Sequence, residues 1–251
     1  MLGDPTSVLL LPRTEVHLWY TFPESLTDPE LLSRYHALMT PEERERQQRF
    51  RFEKGRHEYL VTRALVRTVL SRYADVAPDV WRFVNNEYGR PAIASPLQSP
   101  PLCFNLSHTD GLIVCLVALD REVGVDVENL ERPGETVEIA DRFFSPIEAR
   151  ALRMLPEEQQ RRRFFDYWTL KESYIKARGM GISLPLEQFS FHLDAGCPVR
   201  IFFDPRMQDN PRSWQFAQLQ VSDGHLIAIA VRRSNEPDLS ILVKETIPLV
   251  S

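Results

Sequence analysis

The sequence predicts an α+β protein of two similar halves, each a small antiparallel sheet packed on one long helix. Two observations predict it. Residues 57–72 and 164–177 place apolar side chains at helical spacing. Each stretch is followed by short segments rich in β-branched and aromatic residues that alternate with period two. The expected organisation is an N-terminal half over 1–110, a C-terminal half over 111–235 and a tail over 236–251. The halves are expected to be related as a pseudo-twofold duplication, with the functional cleft between them.

Taken in order, residues 1–13 form a lead-in and Glu15 to Tyr20 a strand. Thr27 or Asp28 caps a helix through Ala37, with Pro29 in its first turn. Thr40-Pro41-Glu42-Glu43 has the grammar of a capping box and starts the next helix. In the helix over 57–72, Leu60, Val61, Ala64, Leu65, Thr68 and Val69 share one side, leaving Arg63, Arg67 and Arg72 on the exposed face. Trp81 to Asn85 reads as a strand, Glu87 to Pro91 as a turn and 94–101 as a loop.

Cys103 to Ser107, Leu112 to Leu119 and Glu122 to Glu128 follow as strands, the last two joined into a hairpin by Asp120-Arg121. Val137 to Phe143 and Pro146 to Leu155 are short helices, the second capped by Ser145. The helix over 164–177 ends at the glycines of Gly179-Met180-Gly181. Four alternating strands complete the chain: 189–193, 199–203, 214–221 and 226–232.

With 251 residues, 43% hydrophobic and 26% charged, the composition is that of a soluble globular protein. A net charge of −5 argues against general nucleic-acid binding, although basic residues crowd 44–56 and 161–163. The three cysteines form no ligand pattern, which points to a reducing, cytoplasmic compartment. No apolar stretch approaches the ~20 residues that span a bilayer.

The chemistry concentrates in a few carboxylates. Glu172 falls on a helical stripe with Phe164, Phe165, Trp168 and Ile175. A carboxylate there needs a cation or a metal, or else is protonated, unless it forms an ordinary surface pair with Lys176. In Gly124-Val125-Asp126-Val127-Glu128 the strand period puts three valines, including Val123, on one face and Asp126 and Glu128 on the other. The two acids either line a solvated face or share a hard cation such as Mg²⁺. Glu148 reads first as the capping partner of Ser145, with a proton-accepting role as the alternative. Ser107 and His108 either contact phosphate or cap a strand end. No glycine-rich phosphate loop is present, so phosphates would be held by side chains, from Arg44, Arg46, Arg49, Arg56, Arg90, Lys171 and Lys176.

GVDVE (124–128), FFSPIEARAL (143–152) and WTLKESYIKARGMGISLPL (168–186) together resemble the signature motifs of the 4′-phosphopantetheinyl transferases, of the larger, surfactin-synthetase-activating type. The segment 50–70, EYGRP (87–91) and FNLSHTDG (104–111) resemble further motifs of that family in the same order. The resemblance implies coenzyme A bound between the two halves, with Mg²⁺ on its pyrophosphate held by Asp126, Glu128 and Glu172. It places Lys171 and Lys176 near the phosphates, and Arg90, Ser107 and His108 in coenzyme-contacting motifs. Arg44, Arg46 and Arg56 fall in the basic segment used for the 3′-phosphate. Tyr59, near the adenine contact, is bulkier than the family pattern. The reaction implied is transfer of phosphopantetheine to a serine of an acyl or peptidyl carrier protein, releasing 3′,5′-ADP. Glu172 and Lys176 are the implied catalytic pair, in a monomer. A Mg²⁺-dependent nucleotide phosphohydrolase and a nucleotide-binding regulatory module are the alternatives. The Arg161–Arg163 run and the loop after Pro133 are candidate docking surfaces for an acidic carrier.

Overall fold

Strand β5 (Leu112–Leu119) reveals the layering, because its run LIVCLVAL shows no polar alternation. Both of its faces are covered. Ile113, Cys115 and Val117 point to a core built around one long helix, whereas Leu112, Val114, Leu116 and Ala118 point to a second core between two sheets. The computed structural model describes residues 8–134, 136–194, 196–233 and 237–250; the first seven residues of the expected lead-in lie outside that set.

The chain is α+β. Its first half contains β1 (Glu15–Thr21), helices α1 (Pro29–Leu38), α2 (Pro41–Gln48) and α3 (Glu53–Ser71), the hairpin β2 (Arg82–Asn85) and β3 (Pro91–Ser95), then β4 (Leu102–Thr109) and β5. The second half contains β6 (Val123–Asn129), α4 (Ala140–Phe143), α5 (Pro146–Arg153), α6 (Glu157–Arg178), the hairpin β7 (Phe189–His192) and β8 (Arg200–Phe203), β9 (Trp214–Ser222) and β10 (His225–Arg232). Strand order β1-β5-β4 in one sheet is repeated as β6-β10-β9 in the other, all antiparallel. The duplication is therefore one of topology.

This pairing corrects three expectations. The boundary between halves lies at 120–122, since β5 belongs with β4 and β1 while β6 pairs with β10. Asp120-Arg121 thus joins two sheets, with Asp120 at φ 50°, and closes no hairpin. The segment after 236 is not a featureless tail: β11 (Ser240–Glu245) pairs in parallel with β1, so the last strand extends the first sheet.

Local rules hold at the helix starts. Asp28 caps α1, and full capping boxes open α2 (Thr40 with Glu43) and α5 (Ser145 with Glu148). Helix α6 begins seven residues earlier than the apolar pattern indicates. Its first turns, Glu157 to Arg163, carry no apolar stripe, but the two acids at its N-terminus complement the helix dipole. Gly179, at φ 65°, ends it in the left-handed conformation.

The arginines of α3 are not on a solvated face. The β2-β3 hairpin and α2 cover Arg63 and Arg67, and Arg72 is held by the C-terminal segment at Thr246 and Val250. Arg67 is fully buried, donates to Glu43 Oε2 at 2.8 Å and lies over the Phe83 ring. Arg63 lies over the Tyr59 and Phe83 rings, and Arg72 over Trp19.

Strand β6 is sandwiched. Val123, Val125 and Val127 face the first sheet, and its alternate face lies under α6. There Gly124 meets the helix backbone, for a Cβ at this position would sit 2.0 Å from Ser173 O and 2.4 Å from Ala177 N. Gly124→Ala is expected to force strand and helix apart at a cost of roughly 3 kcal/mol. Thermal unfolding followed by circular dichroism checks this; an unchanged Tm would show that the close approach is dispensable.

Candidate active site

The two halves meet where β4 runs along the edge of β6. The outward N–H groups of Val125, Val127 and Asn129 are not paired with a strand. They donate to Asn105 Oδ1 (2.8 Å), Ser107 Oγ (3.3 Å) and Thr109 Oγ1 (3.2 Å). Every second side chain of one strand thus serves every second amide of the other. Asn105, which sequence reasoning passed over, is part of this seam.

Ser107 and Asp126 are brought together by it. Ser107 Oγ donates to Asp126 Oδ1 at 3.2 Å, and Lys176 Nζ reaches both, at 2.8 Å to Ser107 Oγ and 2.7 Å to Asp126 Oδ1. Asp126 is buried, and its second oxygen, Oδ2, has no hydrogen-bond partner. Glu128, next on the same face, accepts from Trp168 Nε1 at 2.9 Å and pairs with Arg132 Nε at 2.9 Å. Burial, reinforced by the charge of Asp126 and opposed by Arg132, Trp168 and Lys176, pushes its carboxyl up to about 7. Glu172, one helical turn before Lys176, is raised by the same two causes, burial first and Asp126 second, with Lys176 opposing. The reading of Asp126 and Glu128 as a solvated strand face does not hold, because α6 covers them.

Among the described residues no three His, Cys, Asp or Glu side chains are already gathered at metal-holding distance. The donor chemistry nonetheless suits a hard dication. The oxygens are carboxylate only, one of them is buried without a partner, and burial, with the charge of Asp126 added to it, pushes both Glu128 and Glu172 up.

Two expected phosphate ligands are engaged elsewhere. Lys171 is buried in the core of the second half, where it donates to Leu186 O (2.8 Å) and Phe189 O (2.7 Å) and pairs with Glu148 Oε2 at 2.8 Å. Lys171 and Lys176 are five residues apart, about 140° around the helix, so they cannot serve one site. Burial lowers the pKa of Lys171, and Glu148 opposes that shift. Glu148, fully buried, completes the Ser145 capping box and also accepts from Phe191 N at 2.8 Å. It is a structural junction and has no access to a reacting group. Arg90 donates to Ala177 O (2.6 Å) and Val123 O (3.1 Å), tying the end of α6 to the start of β6.

The remaining basic residues are more open. Arg56 binds Phe50 O and Arg51 O, shaping the loop before α3, and Arg44 donates to Met39 O at 2.7 Å. Arg46 approaches the Tyr59 ring from one side and lines, with Glu42, Glu45, Arg49 and Phe50, a cavity of about 680 Å³. Tyr59 itself packs against Phe50, with the rings tilted by 38°. The His108 ring is exposed to solvent at one side. Its pKa is lowered, first by the chain packed around it and then by the charges of Lys176 and Arg63. Arg63 thus belongs to the same positive field, a role that helical periodicity alone did not reveal.

Residues 122–230 match the 4′-phosphopantetheinyl transferase superfamily, and residues 27–120 match the N-terminal domain family of 4′-phosphopantetheinyl transferases. The chain is 34% identical to the 4′-phosphopantetheinyl transferase HetI of Nostoc sp. (strain PCC 7120 / SAG 25.82 / UTEX 2576) over 231 residues, 92% of each protein. It belongs to the 4′-phosphopantetheinyl transferase family. The transferase is also 32% identical to Sfp of Bacillus subtilis, covering 82% of this chain and 87% of that one, and 38% identical to a second Bacillus subtilis 4′-phosphopantetheinyl transferase over 64% and 69%. It is an enzyme that moves phosphopantetheine from coenzyme A to a serine of a carrier protein. Its seam residues Asn105 and Ser107 and its carboxylates Asp126, Glu128 and Glu172 lie within the matched regions.

Proposed function

We propose that this transferase loads acyl or peptidyl carrier proteins in a Mg²⁺-dependent reaction centred on the junction of Ser107, Asp126 and Lys176. The observation that carries the proposal is Asp126 Oδ2, a buried carboxylate oxygen without a partner at the seam of the two halves. Asp126, Glu128 and Glu172 would hold the metal. When bound, Mg²⁺ draws charge from the pyrophosphate and makes 3′,5′-ADP a better leaving group.

The chain's own residues do the rest. Lys176, partly exposed, lies at the acid set and within reach of a phosphate placed there. Ser107 donates to Asp126 and His108 follows it on β4, and the 3′-phosphate would fall to the basic segment of Arg44, Arg46 and Arg56, of which Arg46 lines the cavity beside Phe50. Arg90 acts by fixing the end of α6. The serine hydroxyl of the carrier forms a bond to the β-phosphorus while the bridging phosphorus–oxygen bond breaks, and the serine proton passes to Glu172. Three free cysteines fit the cytoplasm, and no described helix is long and apolar enough to cross a membrane.

The test is mass spectrometry of apo-carriers from fatty-acid, polyketide and peptide synthetases incubated with enzyme, coenzyme A and Mg²⁺. The expected result is addition of one phosphopantetheine, lost when a chelator is present. Release of nucleotide from coenzyme A with no carrier present would favour a phosphohydrolase instead.

A further inference from the structure

The acid set is not free of cations. Asp126 Oδ1 carries Lys176 Nζ at 2.7 Å, and Glu128 Oε2 carries Arg132 Nε at 2.9 Å. The second contact is built rather than incidental. Arg132 lies over the Phe165 ring, with its guanidinium carbon 5.3 Å from the centroid. Its carbonyl is held by Arg161, whose guanidinium also binds Leu130 O at 3.2 Å and lies over the same ring. The Arg161–Arg163 run is therefore largely spent within the chain, since Arg162 and Arg163 pair with Asp166. Glu128 is engaged at both oxygens, by Trp168 and Arg132. Asp126 is engaged at one oxygen only.

A dication arriving between Asp126 and Glu128 must meet two positive side chains that already neutralise those acids. Like charges a few ångströms apart repel by several kcal/mol at an interior dielectric, so the residents and the metal cannot share the carboxylates. Lys176 has an alternative partner once a pyrophosphate is present. Arg132, 37% exposed at its side chain, can turn to solvent.

We propose that Lys176 and Arg132 are resident counter-ions that compete with the divalent cation for Asp126 and Glu128, so that the metal loads tightly only when coenzyme A draws Lys176 away. This rests on the reading of the three carboxylates as the metal site. Arg132 thereby acquires a role in the reaction without touching substrate, as a positioning residue that sets metal affinity. The two ligands are coupled reciprocally: coenzyme A tightens the metal by the factor by which the metal tightens coenzyme A.

The experiment is titration of the full chain with Mn²⁺ alone, read by electron paramagnetic resonance of the unbound ion, for the wild type, Lys176→Gln, Arg132→Gln and Asp126→Asn. Lys176→Gln and Arg132→Gln are each expected to lower the Mn²⁺ Kd by about fivefold or more without coenzyme A, while Asp126→Asn abolishes binding. An affinity that is unchanged or weaker in either folded variant, with Asp126→Asn still abolishing binding, overturns the inference and leaves the metal site standing. Absence of Asp126-dependent Mn²⁺ binding in every protein, with or without coenzyme A, overturns the metal reading itself. Should Lys176→Gln fail to fold by circular dichroism, the more exposed Arg132→Gln decides the question.

Discussion

Asp126→Ala is expected to lower carrier modification by about 10³-fold or more while the protein stays folded. The residue joins every part of the site: its Oδ1 receives Ser107 from the first half and Lys176 from α6, and its Oδ2 is the unpartnered oxygen. Removing it takes away a proposed metal ligand and the anchor of Lys176 together. Stability should change little, because two effects oppose one another. Lys176 loses its partner but is 28% exposed and can be hydrated, and the repulsion that raises Glu128 and Glu172 is relieved. Intact-mass kinetics on an apo-carrier, with a thermal melt of the same preparation, checks both halves of the expectation. A variant retaining a tenth of wild-type activity would remove Asp126 from the centre of the site.

Lys171→Ala should do the opposite, costing about 3–5 kcal/mol of stability with only a small effect on the turnover of molecules that remain folded. Glu148 would be left as a fully buried carboxylate with no cation, and Leu186 O and Phe189 O would each lose a donor. Urea unfolding measures the first effect, and turnover per folded molecule at low temperature the second. If Lys171 instead held a phosphate, KM for coenzyme A would rise with little loss of stability.

The contrast between the two lysines shows what the sequence could and could not carry. Period two on β6 and period 3.6 on α6 are rigid rules, so Asp126 and Glu128 were legible as one strand face and Glu172 as part of an apolar helical stripe, but the rules do not say which face meets which. That Gly124 is where strand and helix cross was not read from the sequence. Lys171 was misread because proximity in sequence to Glu172 says nothing about side, and its partner Glu148 is contributed by a different helix. Arg67 and Arg132 escaped for a related reason. A buried arginine is indistinguishable from a surface one until its partner, Glu43 or Glu128, is located in space. The capping boxes were legible in full, since their partners are three residues apart. Strand β11 was not, because six residues beyond a loop carry no clue that their mate is β1, more than two hundred residues earlier. The same limit misplaced the boundary between halves: hairpin grammar suggested β5 with β6, whereas the sheets pair β5 with β1 and β4.

That final strand also sets the timetable of assembly. The ribosome delivers β1 before the second half and β11 after it, so the first sheet keeps a bare edge on β1 throughout synthesis of the second half. Strand β11 covers it, with Tyr35 donating to Pro248 O and Arg72 to Thr246 Oγ1 as clasps. The duplicated halves consequently do not mature as two independent beads on a string, since the earlier one is completed by the tail of the later.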